Sequence, residues 1–260
     1  MMPRAGFLRD LIADLRMAAS FVTIVPVASS KPVEDGAVAR ATWAWPAAGL
    51  VVGLAGGAAY AVASKLGLTP TMAALLALGT TIFVTGALHE DGLADTADGL
   101  GGGRTRERKL EIMRDSRIGT YGGCALLLSL GLRWSALAAI ANPWAVTLAL
   151  CAAHAAARAG VPAFMFLVPP ARRDGLSASA GLPPGRSVAI AFALGTLALT
   201  LALGSGKALV SLILLSLAGL IVARLAIRQI GGQTGDILGA FEQTGEILIL
   251  LVAAAFQMGG

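Results

Sequence analysis

Apolar residues in this chain are gathered into long runs broken by short polar stretches, and that pattern leaves few folds open. A helix needs roughly 17–25 predominantly apolar residues to cross a bilayer. Runs of that order recur at 42–64, 70–88, 119–141, 144–168, 187–203, 209–223 and 237–256, although the one at 209–223 is short and the one at 144–168 carries His154 and Arg158. Only 13% of residues are charged and the mean hydropathy is +0.76, whereas about a quarter of a soluble domain is charged. The expectation is an all-α, polytopic membrane helix bundle of about seven transmembrane helices, forming a single integral-membrane domain over residues 1–260.

The N-terminal stretch "RAGFLRDLIADLRMAAS" is different. Leu8, Leu11, Ile12, Leu15 and Ala19 recur at helical spacing, while Arg9, Asp10 and Asp14 lie on other faces. Such an amphipathic helix lies in the membrane interface. "FVTIVP" then runs toward the bilayer and stops at Pro26, as an interfacial or re-entrant segment. Cys124 and Cys151 each sit inside an apolar run and read as small core residues, without metal or disulfide spacing. The net charge of +5 comes from basic loops, and no nucleic-acid binding is inferred from it.

Lys and Arg mark the cytoplasmic side of a membrane protein. They collect near 89–118, 169–187 and 224–236, and the connections "ANP" and "GSGK" are nearly uncharged. Seven spans therefore place three polar loops together in the cytoplasm, as the catalytic face.

The first of these loops opens with "HEDGLADTAD", residues 89–98. Asp91, Asp95 and Asp98 are spaced i, i+4, i+7, which puts them on one helix face. Three unpaired carboxylates repel one another where a span leaves the membrane. Mg²⁺ prefers such oxygens and characteristically takes one or two carboxylates plus substrate phosphates. Gly101 and Gly102, beside the cluster, permit close backbone approach to a ligand. His89 is a base, a metal ligand, or an interfacial histidine bonded to backbone.

"RERKLEIMRDSRIGTYG" reads as a short amphipathic helix ending at Gly119, with Arg106, Lys109 and Arg117 toward phosphate or headgroups and Asp115 toward substrate or the acidic face. Ionisable residues inside spans are expensive and functional by default, which singles out Arg133, His154 and Arg158. Arg158 is placed to reach a substrate phosphate; Arg133 can also snorkel. In "GGQTGDILGAFEQTGE", Thr234 and Asp236 either cap a helix or meet an anion at its N-terminus. Capping does not explain Glu242 and Glu246 deeper in the same span. Gly49, Gly53 and Gly57 form a helix-packing face.

Together "FVTIVP", "WPAAGLVVG", "TGALHEDGLADTADGLGGGRTRERKLEIMRDSRIGTYG", "AAARAG", "PPARRDGLS" and "GGQTGDILGAFEQTGE" resemble the cobalamin synthase family, the adenosylcobinamide-GDP ribazoletransferases. Glu90 departs from the apolar residue expected there and is given no ligand role. The resemblance implies a Mg²⁺-requiring enzyme of the bacterial inner membrane, active site toward the cytoplasm. It joins adenosylcobinamide-GDP to α-ribazole or its 5′-phosphate and releases GMP, in the last assembly step of cobalamin biosynthesis; a homo-oligomer is compatible with it. On that basis Asp91, Asp95 and Asp98 hold the metal and Asp98 or Asp115 accepts a proton. Arg117 and Arg158 bind phosphate, and Asp236 with Glu242 completes the metal shell or orients ribazole. The alternatives are an intramembrane transferase of the CDP-alcohol phosphotransferase or prenyltransferase type, and a transporter.

Overall fold

The computed structural model describes residues 4–25, 27 and 36–255. Among them the backbone is helical or irregular, with one isolated β-bridge between Pro170 and Gln233. The all-α reading holds. Six helical segments are long and apolar enough to span a membrane: Ala37–Lys65, Thr120–Ile140, Pro143–Leu167, Gly185–Leu203, Ser205–Ile230 and Gly235–Ala255.

A bent pair among the described residues brings the candidate spans to seven if the two helices count as one broken span. Helix α4 (Pro70–Thr85) and helix α5 (Leu88–Gly102) meet at 89°, where one continuous run to residue 88 was expected. Gly86 and Ala87 both adopt left-handed backbone, at φ 62° and 57°. Two such residues end a helix, and the N–H groups of Gly86 and Ala87 close the turn on the carbonyls of Phe83 and Ile82. The apolar side chain of Ala87 hid the break from a hydropathy scan. The expected span at 209–223 is also longer: α11 runs Ser205–Ile230, because Lys207, Arg224 and Arg228 lie on its end turns and interrupt the apolar run without ending the helix. The amphipathic stretch after residue 105 forms only α6 (Arg106–Ile112), not a helix to Gly119.

Helix α8 (Pro143–Leu167) and helix α12 (Gly235–Ala255) are the two most enclosed spans. Helix α3 (Trp45–Lys65) and α10 (Gly185–Leu203) pack on α8, while α5 and α7 (Thr120–Ile140) pack on α12. The glycine face on α3 explains the closeness of its partner. A Cβ on Gly53 would lie 2.6 Å from the Cα of Cys151 in α8. The N-terminal helix α1 (Arg4–Val22) leaves Leu8, Ile12 and Leu15 exposed while Ala18 and Val22 join the core, as an interfacial helix does. Trp43 Nε1 donates to Asp14 at 2.8 Å, and Phe21 stacks on Trp45. "FVTIVP" begins as the end of α1, and Ile24 N–H bonds to the Val84 carbonyl; Pro26 lies outside the described residues.

Long-range bonds gather the polar segments at one end of the bundle. Asp98 bonds to the start of α7, Arg106 to the end of α11, and Gln233 to the segment after α8. Overpacking a tight core costs about 1–3 kcal/mol, and here backbone itself stands in the way. Gly53→Leu is expected to abolish the monodisperse folded peak in detergent gel filtration. Gly123→Ala, with nothing within 4 Å of the added carbon, is expected to leave it unchanged.

Candidate active site

Where α5, α8 and α12 meet the segment after α8, a cavity of about 290 Å³ opens. Its apolar lining comes from Phe21, Val22, Trp45, Val161, Met165 and Leu238, and its charged and polar lining from Asp91, Asp236, His89, Arg158 and Arg172. Gly92 and Gly239 let α5 and α12 approach closely: a Cβ on Gly92 would sit 3.0 Å from the Asp236 carbonyl. That approach brings the acidic face of α5 to the first turn of α12.

The helical spacing of the aspartates is as expected, but their roles divide. Asp91 is exposed and Asp95 half-buried. The charges of Asp91, Asp236, Asp98 and Asp115 all bear on Asp95. Neither Asp91 nor Asp95 has a cationic partner within 4 Å among the described residues. Asp98 does not share this open face. It is buried, and its two oxygens accept the N–H groups of Gly119 at 2.7 Å and Gly122 at 2.9 Å. It therefore caps α7 instead of adding to a metal face. Among the described residues, Asp91, Asp95, Asp98 and Asp236 bring no three oxygens within 4.8 Å of one another.

Several expected substrate contacts are occupied by the fold. Arg106 donates to the carbonyls of Ile230 at 2.8 Å and Ala171 at 2.6 Å, tying α6 to two other segments. Lys109 Nζ donates to the Leu100 carbonyl near the end of α5. Gly101 admits the ring of Tyr121, with a Cβ only 2.8 Å from it, and Gly102 faces Ile112; neither makes room for a ligand. Thr234 accepts the Ile237 N–H and donates to Asp236, so it caps α12. Arg117 forms a paired contact with the Asp115 carboxylate at 2.7–3.2 Å. The guanidinium holds Asp115 down at about 2, which makes it a poor proton acceptor.

Behind the cavity lies a buried charge network that sequence reading found only in parts. Arg158 is 1% exposed, so it is no open phosphate contact. Its Nη1 lies 2.6 Å from Glu242 and 2.8 Å from Glu246. Glu246 also meets His154 and, at 3.0 Å, Arg133. Arg133 reaches on to Glu90 at 3.0 Å. Glu90, given no ligand role from the sequence, is thus a countercharge, and Arg133 is paired instead of snorkelling. Gln243 bridges Glu242 and Ser129. His154, Glu242 and Glu246 are the one acidic and histidine group among the described residues close enough for a shared ion, but Arg158 already fills that role. His89 Nδ1 sits 3.3 Å from Arg158 Nη2 and 3.7 Å from Glu242. A guanidinium only donates, so His89 Nδ1 accepts and its proton is on Nε2.

Arg172 was read only as a marker of orientation. It lines the cavity, 3.7 Å from Asp236. Its signal in the sequence was no more than membership of "PPARRDGLS".

A model of the family described as cobalamin-5-phosphate synthase matches residues 14–254. The chain is 83% identical over 259 residues to the adenosylcobinamide-GDP ribazoletransferase of Bradyrhizobium diazoefficiens, covering 100% of both chains. It is 48% identical over 246 residues to the enzyme of that name from Mesorhizobium japonicum, covering 95% of this chain and 94% of the relative. With the Azorhizobium caulinodans enzyme of that name it shares 45% over 250 residues, 93% of this chain and 95% of the relative. No solved structure matches the chain.

Breaking a buried ion pair on one side costs about 3–5 kcal/mol, because the other charge stays buried and unpaired. Glu246→Gln removes the carboxylate that Arg133 and Arg158 share and leaves each with a single carboxylate partner. It is expected to lower the melting temperature in detergent sharply. Asp98→Ala is expected to lower it modestly, since a lost helix cap costs about 0.5–2 kcal/mol.

Proposed function

The chain belongs to the cobalamin-5-phosphate synthase family, and from that premise we propose that it joins adenosylcobinamide-GDP to α-ribazole or its 5′-phosphate. A ribazole hydroxyl attacks the phosphorus on the cobinamide side of the diphosphate. The new P–O bond forms as the P–O–P bond breaks, GMP leaves, and the hydroxyl proton passes to a carboxylate of the acidic cluster. Phosphoryl transfer of this kind depends on positioning and on neutralising charge.

The observation that carries this reading is the cavity lined by both apolar and charged side chains at the polar end of the bundle. At about 290 Å³ it accepts the reacting end of an amphiphilic substrate and leaves the bulk outside. The apolar lining suits a ribazole base. The carboxylates Asp91 and Asp95, lacking a cationic partner among the described residues, with Asp236 nearby, fit a hard divalent ion that also needs phosphate oxygens, because no complete protein cage is built. Asp91, Asp95 and Asp236 would hold Mg²⁺, which when bound supplies neutralisation of the diphosphate and of the departing GMP. His89 presents its Nε2–H to the phosphate oxygens. Asp98 and Asp115, engaged by Gly119, Gly122 and Arg117, serve geometry instead of proton transfer.

The basic residues of the polar end support a cytoplasmic orientation in the bacterial inner membrane. A thiol label on Arg173→Cys, an exposed position of the same segment, in a Cys-free background, is expected to react only from the cytoplasmic side; periplasmic labelling reverses the orientation.

Asp91→Asn and Asp95→Asn are each expected to lose at least about a hundredfold in GMP release at unchanged melting temperature, since each removes a charge-assisted contact. The assay uses purified protein in lipid with adenosylcobinamide-GDP and α-ribazole, with and without Mg²⁺. Near-normal Mg²⁺-dependent turnover in both variants removes these aspartates from the metal site.

A further inference from the structure

A diphosphate entering this cavity meets two groups of opposite demand in its lining: carboxylates that need a counterion, and a guanidinium that needs an acceptor. We propose that Arg172 is the residue that grips the nucleotide diphosphate directly. The proposal rests on the transferase reading above and names the contact that reading lacks.

Two guanidinium groups line the cavity, and each keeps a buried nitrogen without a hydrogen-bond partner among the described residues, Arg158 at Nε and Arg172 at Nη1, but only Arg172 has no carboxylate within hydrogen-bond distance. Arg158 is committed to Glu242, Glu246 and His154. Outside the cavity, Arg106 and Lys109 are spent on backbone carbonyls, and Arg117 and Arg114 on Asp115 and Asp174. Arg172 has one neighbour of opposite charge, Asp236, at 3.7 Å, too far for a hydrogen bond. Its Nη1 is buried without a hydrogen-bond partner among the described residues. A buried donor left unpaired is costly, and native structures keep few of them. A phosphate oxygen in the cavity pairs it, and a planar guanidinium fork matches the phosphate's oxygens.

The segment carrying Arg172 is built to hold it still. Ala171 N–H bonds to the Gln233 carbonyl and Gln233 N–H to the Pro169 carbonyl, both at 2.8 Å. Arg106 holds the Ala171 carbonyl, and Ser177 bonds to the Gln233 side chain. Gly175 turns the chain at φ 98°, and a Cβ there would lie 3.3 Å from Arg172 Nε and Nη2. Glycine at 175 thus serves both the left-handed turn and the room for the guanidinium. The first residues of α12, Gly235 and Asp236, line the same cavity, so the positive end of that helix adds to the field on an anion.

The test uses the full chain in lipid nanodiscs, with GDP as the binding probe and adenosylcobinamide-GDP and α-ribazole as the kinetic pair. Arg172→Gln is expected to weaken GDP binding measured by calorimetry, and to raise the KM for adenosylcobinamide-GDP, each at least about tenfold. The KM for α-ribazole and the melting temperature stay put, and Arg172→Lys recovers part of the loss. Unchanged GDP affinity in Arg172→Gln overturns the assignment, as does a rise in KM confined to α-ribazole. Should Arg172→Gln fail to fold, Arg172→Lys decides: unchanged GDP affinity there makes Arg172 structural. Wild-type protein that binds GDP but releases no GMP from adenosylcobinamide-GDP refutes the transferase reading and leaves the Arg172 contact to be judged on binding alone.

Discussion

Charge inside a bilayer has no water to fall back on, and this bundle is arranged around that fact. Arg133 and Arg158, each 1% exposed, are matched by Glu90, Glu242 and Glu246 drawn from two helices. Isolated, any one of these ions would be too costly to bury. Paired, they dictate which helices must touch: α7 and α8 supply the guanidiniums, α5 and α12 the carboxylates. The consequence for function is positional. Glu90 pins α5 against α7 and α12, and Asp91 follows it in sequence. The acidic face reaches the cavity because the residue before it is tied down.

The division of labour among the aspartates follows from the same economy of partners. Asp98 faces the start of α7, where backbone N–H groups need an acceptor, and it takes two of them. Asp95 and Asp91, one and two turns earlier, meet no such donor among the described residues, and Asp91 lines the cavity beside α12. A helix that ends against another helix's N-terminus therefore turns one carboxylate into a cap and leaves the others for a ligand. Lys109 finishes the arrangement by folding back on the Leu100 carbonyl at the same end of α5.

What could be read from the sequence, and what could not, divides along one physical line. Hydropathy reports burial in lipid, so the spans were legible to within a few residues. The i, i+4, i+7 spacing of Asp91, Asp95 and Asp98 reports a helix face, and the helix is there. Neither signal reports partners. That Glu90 answers Arg133 across 43 positions, or that Arg106 is consumed by the Ile230 carbonyl 124 residues away, is a property of the packed bundle. So the basic residues near the acidic cluster looked free for phosphate and were not. The break at Gly86 and Ala87 was hidden for a related reason. It is a change of backbone angle in apolar residues, and hydropathy carries no angle.

The cavity's apolar lining completes the logic of placing phosphate chemistry at a membrane face. Phe21 and Val22 come from the end of α1, and Trp45 from the first turn of α3; Phe21 stacks on Trp45 with ring centres 5.3 Å apart. Helix α1 carries its exposed Leu8, Ile12 and Leu15 on the outside, the stripe that seats it in the interface. One helix thus faces lipid with one stripe and closes the cavity with its last turn. In the reaction proposed above, a substrate with a large amphiphilic body rests at the interface beside α1 while its diphosphate enters between Asp91, Asp236 and Arg172. The bilayer then supplies orientation that a 290 Å³ cavity is too small to supply by itself, and positioning is the larger part of what phosphoryl transfer asks of a protein.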